Sequence, residues 1–299
     1  MTTLELQLSG QAVLTFSVLT AAIVGLWLPR HKGPGPTVAF WQIAFLSALV
    51  SALAFGFVSW AGFLALLGLA LAGHYAQART RSAAVARLLL LLGSLALAAH
   101  LVPGFENPRI IDGAVLSEGG IRYTKYLNFD KGAVGLLLLA FGHELARGWV
   151  EWGRILRRTA PVALGTAVVL MALSFLFGYA RWDPGWPPIL LVWAWTNLFF
   201  TCVAEEAVFR GLIQRQLSTT LASSRFGPWL ALSLSALLFG LAHYAGGPKY
   251  VLLSTLAGLG YGWAFMRTDR IEASIATHFF VNFVHFTLFT YPALAPVTD

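Results

Sequence analysis

The stretch FFTCVAEEAVFRGLIQRQL, Phe199–Leu217, starts as sequence fit for a lipid interior and then sets two carboxylates side by side. Arg210 follows four residues after Glu206, and Gln214 and Arg215 come soon after. Whether the segment belongs to a soluble core or a membrane decides the fold, and the surrounding chain answers that. Of 299 residues, 58% are hydrophobic and 11% charged, against roughly 25% charged in a soluble globular domain. Mean hydropathy is +0.71. Apolar runs close to the roughly 17 to 25 residues that cross a hydrocarbon core recur from end to end. Barrel strands alternate polar and apolar residues in segments of about ten, and this chain does not. It reads as all-α, a polytopic helical membrane protein.

The apolar runs lie near 11–28, 38–56, 59–73, 88–102, 132–149, 160–180, 188–209, 228–243, 250–266 and 271–291. Some are short, and the second and third part only around Gly56 to Gly62, so the expectation is about eight to ten transmembrane helices. Cationic residues divide between alternate connections. One set holds Arg30, Lys32, Arg79, Arg81, Arg87, Arg147, Arg154, Arg157, Arg158, Arg210, Arg215, Arg225, Arg267 and Arg270; the other holds Arg109, Arg122, Lys125, Lys131, Arg181 and Lys249. With ten spans, the positive-inside rule places the rich set in the cytoplasm and both termini outside. This accounts for the net charge of +7 without nucleic acid. The opening MTTLELQLSG lacks a basic n-region and a cleavage site, so the first helix is expected to stay. Cys202 is the single cysteine, which excludes an intrachain disulfide and a multi-cysteine metal site. The chain divides into an N-terminal membrane-helix region, 1–150, as scaffold or substrate-related part, and a helical bundle, 151–299. The longest non-apolar stretch, Pro103 to Gly132, puts an external loop at 103–131. It reads as a connector, with a lid over a site as the alternative.

Ionisable residues at lipid depth are costly and face a partner or a cavity. They concentrate in the last hundred residues: EEAVFR (Glu205–Arg210), FGLAH (Phe239–His243), HFFVN (His278–Asn282) and His285. Glu206 and Arg210, at i and i+4 with the acid first, suit a helical ion pair. Glu205 points about 100° away and stays available as a base. By itself the acid pair reads rather as charges that mark a helix end at the interface. His278 and Asn282 share a helix face and could donate two hydrogen bonds to an oxyanion. His243 ends another helix and could share a water with Glu205. His285 reads as packing, and GHELAR (Gly142–Arg147) as structural. His31, His74 and His100 have no polar partner in register.

The ordered set of Glu-Glu-x-x-x-Arg, Phe-x-x-x-His and His-x-x-x-Asn on three helices resembles the CPBP family of intramembrane proteases. That family includes the CAAX prenyl endopeptidases and bacterial Abi-like relatives, and the likeness covers about residues 188 to 290. It implies an intramembrane endopeptidase in which Glu205 and His243 activate water. His278 and Asn282 would stabilise the oxyanion, with Glu206 and Arg210 supporting. It also implies a catalytic bundle in the C-terminal half and a membrane-associated protein or peptide as substrate. The location implied is multi-pass in a bacterial inner (plasma) membrane. No cofactor is expected. A zinc site built from His243, His278 and a Glu is the less favoured version, since no His-Glu-x-x-His helix is present. The alternative is a non-catalytic membrane scaffold or immunity protein of the same fold. A proton-relay transporter would need paired broken helices or an inverted repeat, and neither is evident.

Depth raises a difficulty. If the segment carrying Glu205 ends at residue 209, Glu205 and His278 lie near the cytoplasmic boundary, yet His243 lies about 22 Å along its own helix. A tilted, shifted or re-entrant helix would reconcile them, around a polar cavity in the cytoplasmic half. The glycines Gly258, Gly260 and Gly262 suit close packing against the histidine-bearing helices.

Overall fold

The computed structural model describes residues 6–28, 38–78 and 81–296. Arg30, His31, Lys32 and Arg79, together with the side chain of Arg81, lie outside the described residues. Ten helical stretches account for most of the described residues: α1 (Gly10–Gly25), α2 (Phe40–Ala54), α3 (Trp60–Ala76), α4 (Arg81–Ala98), α5 (Phe129–Gly142), α6 (Gly148–Leu176), α7 (190–220), α8 (Gly227–Leu241), α9 (Gly247–Thr268) and α10 (Ile271–Leu288). A two-stranded antiparallel hairpin, β1 (Arg109–Ala114) and β2 (Tyr123–Tyr126), joins α4 to α5. The expected connector is therefore an ordered hairpin, a small β element in an otherwise helical fold.

Each expected apolar segment contains a helix, and the helix limits come from local chemistry. Ser9 accepts the Ala12 amide to start α1, and Pro228 and Pro248 sit in the first turns of α8 and α9, where no amide partner is needed. Asp269, in the left-handed region at φ 51°, stops α9. Several limits depart from expectation. The segment expected at 160–180 begins at Gly148, so Arg154, Arg157 and Arg158 are helical. The segment expected at 188–209 continues to Thr220. It continues because Arg210, which would end an apolar run, is fully buried in an ion pair.

Successive helices run between two ends of the molecule. At one end Trp27 Nε1 donates to Glu272 (2.9 Å), Arg147 to the Leu28 carbonyl (2.8 Å) and Arg270 to the Glu144 carbonyl (2.9 Å). The cation-rich connections gather here. At the other end the Gln7 amide donates to Ile110, Ile121 to Ala293, and Leu294 to Tyr179. This hairpin end holds the β element and the connections after α6, α8 and α10.

One apolar core passes through both halves of the chain, from Phe16 and Leu19 on α1 through Phe129 and Leu136 on α5 to Phe200 on α7 and Phe286 on α10. Outward faces are also apolar: Leu46 and Val50, Leu88 and Leu92, and Leu164 and Val168 are exposed pairs one turn apart. Among the described residues, α6 alone is by itself long and apolar enough to cross a membrane. The α8–α9 pair passes the same test as one unit bent by 57° at its break, and α1 to α4 are shorter apolar helices.

Candidate active site

Helix α7 is not regular. Two π segments, Leu198–Cys202 and Ala207–Gln214, flank the single α-helical turn Val203–Glu206 that carries both acids. A π segment widens the helix and is frequent at functional sites. The two acids are sent to different surroundings. Glu206 is fully buried, and its Oε1 accepts from Arg210 Nη1 at 3.1 Å and from His278 Nδ1 at 2.7 Å. Glu205 lines a cavity of about 1030 Å³, with Lys131 Nζ 3.9 Å from its Oε1.

That Glu206 neutralises Arg210 was expected; its bond to His278 was not, and it ties α7 to α10. Arg210 has further anchors in the Gly258 carbonyl of α9 (2.9 Å) and the ring of Phe239 (4.6 Å). His278 is clamped on its faces as well, stacked on Tyr261 at 4.4 Å and met edge-on by Phe239 at 5.8 Å. With Nδ1 committed to Glu206, its free ring nitrogen is Nε2. His243 is held differently: Nδ1 donates to the Phe239 carbonyl at 2.7 Å, which leaves the Nε2 lone pair free. Glu205, His243, His278, Asn282 and His285 all line the one cavity. Asn282 Nδ2 donates to Asn197 Oδ1 at 3.2 Å, and Cys202 Sγ bonds the same oxygen at 3.3 Å.

The depth difficulty resolves through α7 and α8. Because α7 continues to Thr220, Glu205 lies about 22 Å from that helix end at about 1.5 Å per residue. His243, just past Leu241, is about as far up the antiparallel α8. Ser235 Oγ bonding the Phe209 carbonyl at 2.7 Å fixes the two in register. Close approach of α9 to α8 needs glycine. A Cβ on Gly240 would lie 1.9 Å from Thr255 Oγ1, and one on Gly258 3.0 Å from Ala236 Cα. The cavity is consequently not in the half next to the cation-rich connections, as expected. It lies towards the hairpin end, lined there by Tyr123 and Lys125 of β2, by Tyr179 and by Tyr291.

Four contributors have no motif. Lys125, Lys131, Asn197 and Tyr261 reach the site from β2, α5, α7 and α9, and a single ordinary residue on a separate element leaves no spacing signal. Lys125 Nζ donates to Thr201 Oγ1 at 3.2 Å. Burial and the neighbouring Lys131 lower its pKa to about 8, with Glu205 opposing. Burial pushes the Tyr123 and Tyr291 phenols up, which keeps them neutral. His100, expected to lack a partner, has Nδ1 2.6 Å from the buried Asp130, which Asn107 also bonds. His285 packs on Tyr291 at 5.2 Å, and its buried Nε2 has no partner.

Among the described residues no three His, Cys, Asp or Glu side chains converge into a metal-binding set. Glu206 is taken by Arg210 and His278, and His243 and His278 each have Nδ1 held and Nε2 uncommitted.

The fold and site define a class: a helical bundle whose apolar helices enclose Glu, His and Asn side chains around a cavity. Residues 187–284 match the family described as Rce1-like, type II CAAX prenyl endopeptidase Rce1-like. The match covers 98 of the 299 residues and contains Glu205, His243, His278 and Asn282. No curated protein and no solved structure matches the chain.

Proposed function

We propose that the chain is an intramembrane endopeptidase that hydrolyses a peptide bond within or next to the bilayer without a metal ion. The observation that carries the reading is the convergence of Glu205, His243, His278 and Asn282, from three helices, on one cavity between apolar helices. Water held between Glu205 and the free Nε2 of His243 loses its proton to Glu205 as its oxygen attacks the carbonyl carbon. The oxyanion is met by the second amide hydrogen of Asn282 and by Nε2–H of His278 in its protonated form, with Nδ1 held by Glu206. Collapse breaks the C–N bond, and the proton taken from water passes to the leaving amine. On this reading 151–299 carries the chemistry, and 1–150 adds Lys125 to the cavity and sets Lys131 against Glu205.

The exposed apolar faces suit lipid, and we read the ten helices as ten spans of a bacterial inner membrane protein. The positive-inside rule then puts the hairpin end, with the cavity, on the non-cytoplasmic side. The substrate is accordingly a membrane-associated protein or peptide presented from that side.

The test is reconstitution of the purified protein in liposomes with membrane-anchored peptides, and mass spectrometry of the products. Glu205→Gln and His243→Ala should each lower cleavage by 100-fold or more, at unchanged melting temperature, and a zinc chelator should have no effect. Wild-type cleavage by the Glu205 variant would sink the mechanism. Unchanged biological activity of both variants would favour the non-catalytic scaffold.

A further inference from the structure

The cavity carries more positive charge than its chemistry uses. Among the described residues lining it, Glu205 is the one carboxylate, and Lys131 already faces it at 3.9 Å. Lys249, at the rim, is spent on the Phe177 carbonyl at 2.7 Å. Lys125 remains. Its ammonium reaches in from β2 and has a neutral partner only, the Thr201 hydroxyl at 3.2 Å. It forms no ion pair among the described residues. Lys125 and Lys131 thus share the single carboxylate of Glu205, and a half-buried cation short of counter-charge is stabilised by an anion supplied from outside.

We propose that Lys125 and Thr201 form an anion subsite that receives a carboxylate of the substrate. This deepens the peptidase reading and rests on it. Lys125 lies on the hairpin, outside the segment that matches the protease family, and reaches Thr201 within it. An ammonium and a hydroxyl 3.2 Å apart can hold the two oxygens of one carboxylate. Thr201 precedes Glu205 by four residues on α7, a rise of about 6 Å. Extended peptide advances about 3.4 Å per residue, so the carboxylate sits about two residues from the bond that is cut. Either the peptide's C-terminus or an Asp or Glu side chain at that position supplies the group. Lys125 is thus a specificity-determining residue, separate from the proton transfers at Glu205 and His243.

The experiment measures binding first and cleavage second, on the full-length protein in nanodiscs. The probes are three N-dansylated apolar peptides of alternating Leu and Ala. One ends in a free acid, one in an amide, and one in an amide preceded by Asp. The acid should bind wild type at least tenfold more tightly than the plain amide. Lys125→Met should erase the difference and Lys125→Arg restore most of it, a rescue that a merely structural lysine would not produce. Thr201→Val should weaken acid binding alone. Equal binding of acid and amide to wild type, or a full preference in Lys125→Met, would overturn the subsite. If the Asp-bearing amide binds like the acid, the subsite accepts a side-chain carboxylate; if it binds like the plain amide, the subsite reads the terminus. A tenfold preference with no product formed would leave the subsite standing and refute the peptidase reading.

Discussion

Glu205 and Glu206 adjoin in the chain and share almost no surroundings. Glu206 is bonded to Arg210 and His278 with no solvent contact, while Glu205 faces the cavity and Lys131. Opposite consequences of mutation follow. Glu206→Gln leaves Arg210 as a buried, unpaired cation and should cost about 3–5 kcal/mol, read as a fall in melting temperature in detergent. Adding Arg210→Met should restore much of that stability, because apolar groups can replace a buried pair. It should not restore cleavage, since His278 has lost its carboxylate. The Lys125 ammonium, flanked by Lys131, Glu205, Cys202 and Thr201, has a pKa of about 8. It is charged below that value and neutral above it. Preference for an acid over an amide peptide should therefore be full near pH 6.5 and fall away between about pH 7.5 and 9.

At the scale of elements, the site depends on two irregular features. The α-helical turn between the two π segments of α7 carries both acids, and the α8–α9 hairpin lifts His243 to their level. Gly240 is the contact most sensitive to bulk, since any Cβ there meets Thr255 Oγ1 and the Val251 carbonyl at 2.8 Å. Gly240→Val should destabilise the protein by about 1–3 kcal/mol through overpacking. It should also lower cleavage out of proportion to the loss of fold, because the displaced hairpin carries His243. Paired melting and rate measurements on the variant check this. Gly258, Gly260 and Gly262 were legible as packing residues from their spacing. The π segments were not, because the residues in Leu198–Cys202 and Ala207–Gln214 are as compatible with a regular helix.

At the scale of the molecule, the cation-rich connections gather at one end and the cavity at the other, which predicts a sidedness. Cys202 is the one cysteine and is buried, so single cysteines can be introduced in the native background. In intact cells Glu118→Cys, on the hairpin, should react with an impermeant thiol reagent. Arg225→Cys, in the α7–α8 turn, should react only after the membrane is opened. The reverse pattern would place the cavity in the cytoplasm and change the source of substrate.

The sequence by itself determined the helical class and the apolar segments, and it singled out Glu205, Glu206, Arg210, His243, His278 and Asn282 as candidates. Those features are local: a helix among apolar surroundings writes its requirement into consecutive residues, and a charge within such a run stands out. Only the tertiary structure decided that Glu206 holds His278, that Lys125, Lys131, Asn197 and Tyr261 join the site, and that the cavity opens at the hairpin end. These depend on where separate helices cross and how far α7 continues. Here a buried ion pair between Glu206 and Arg210 lets a helix run past the point where composition says it should stop.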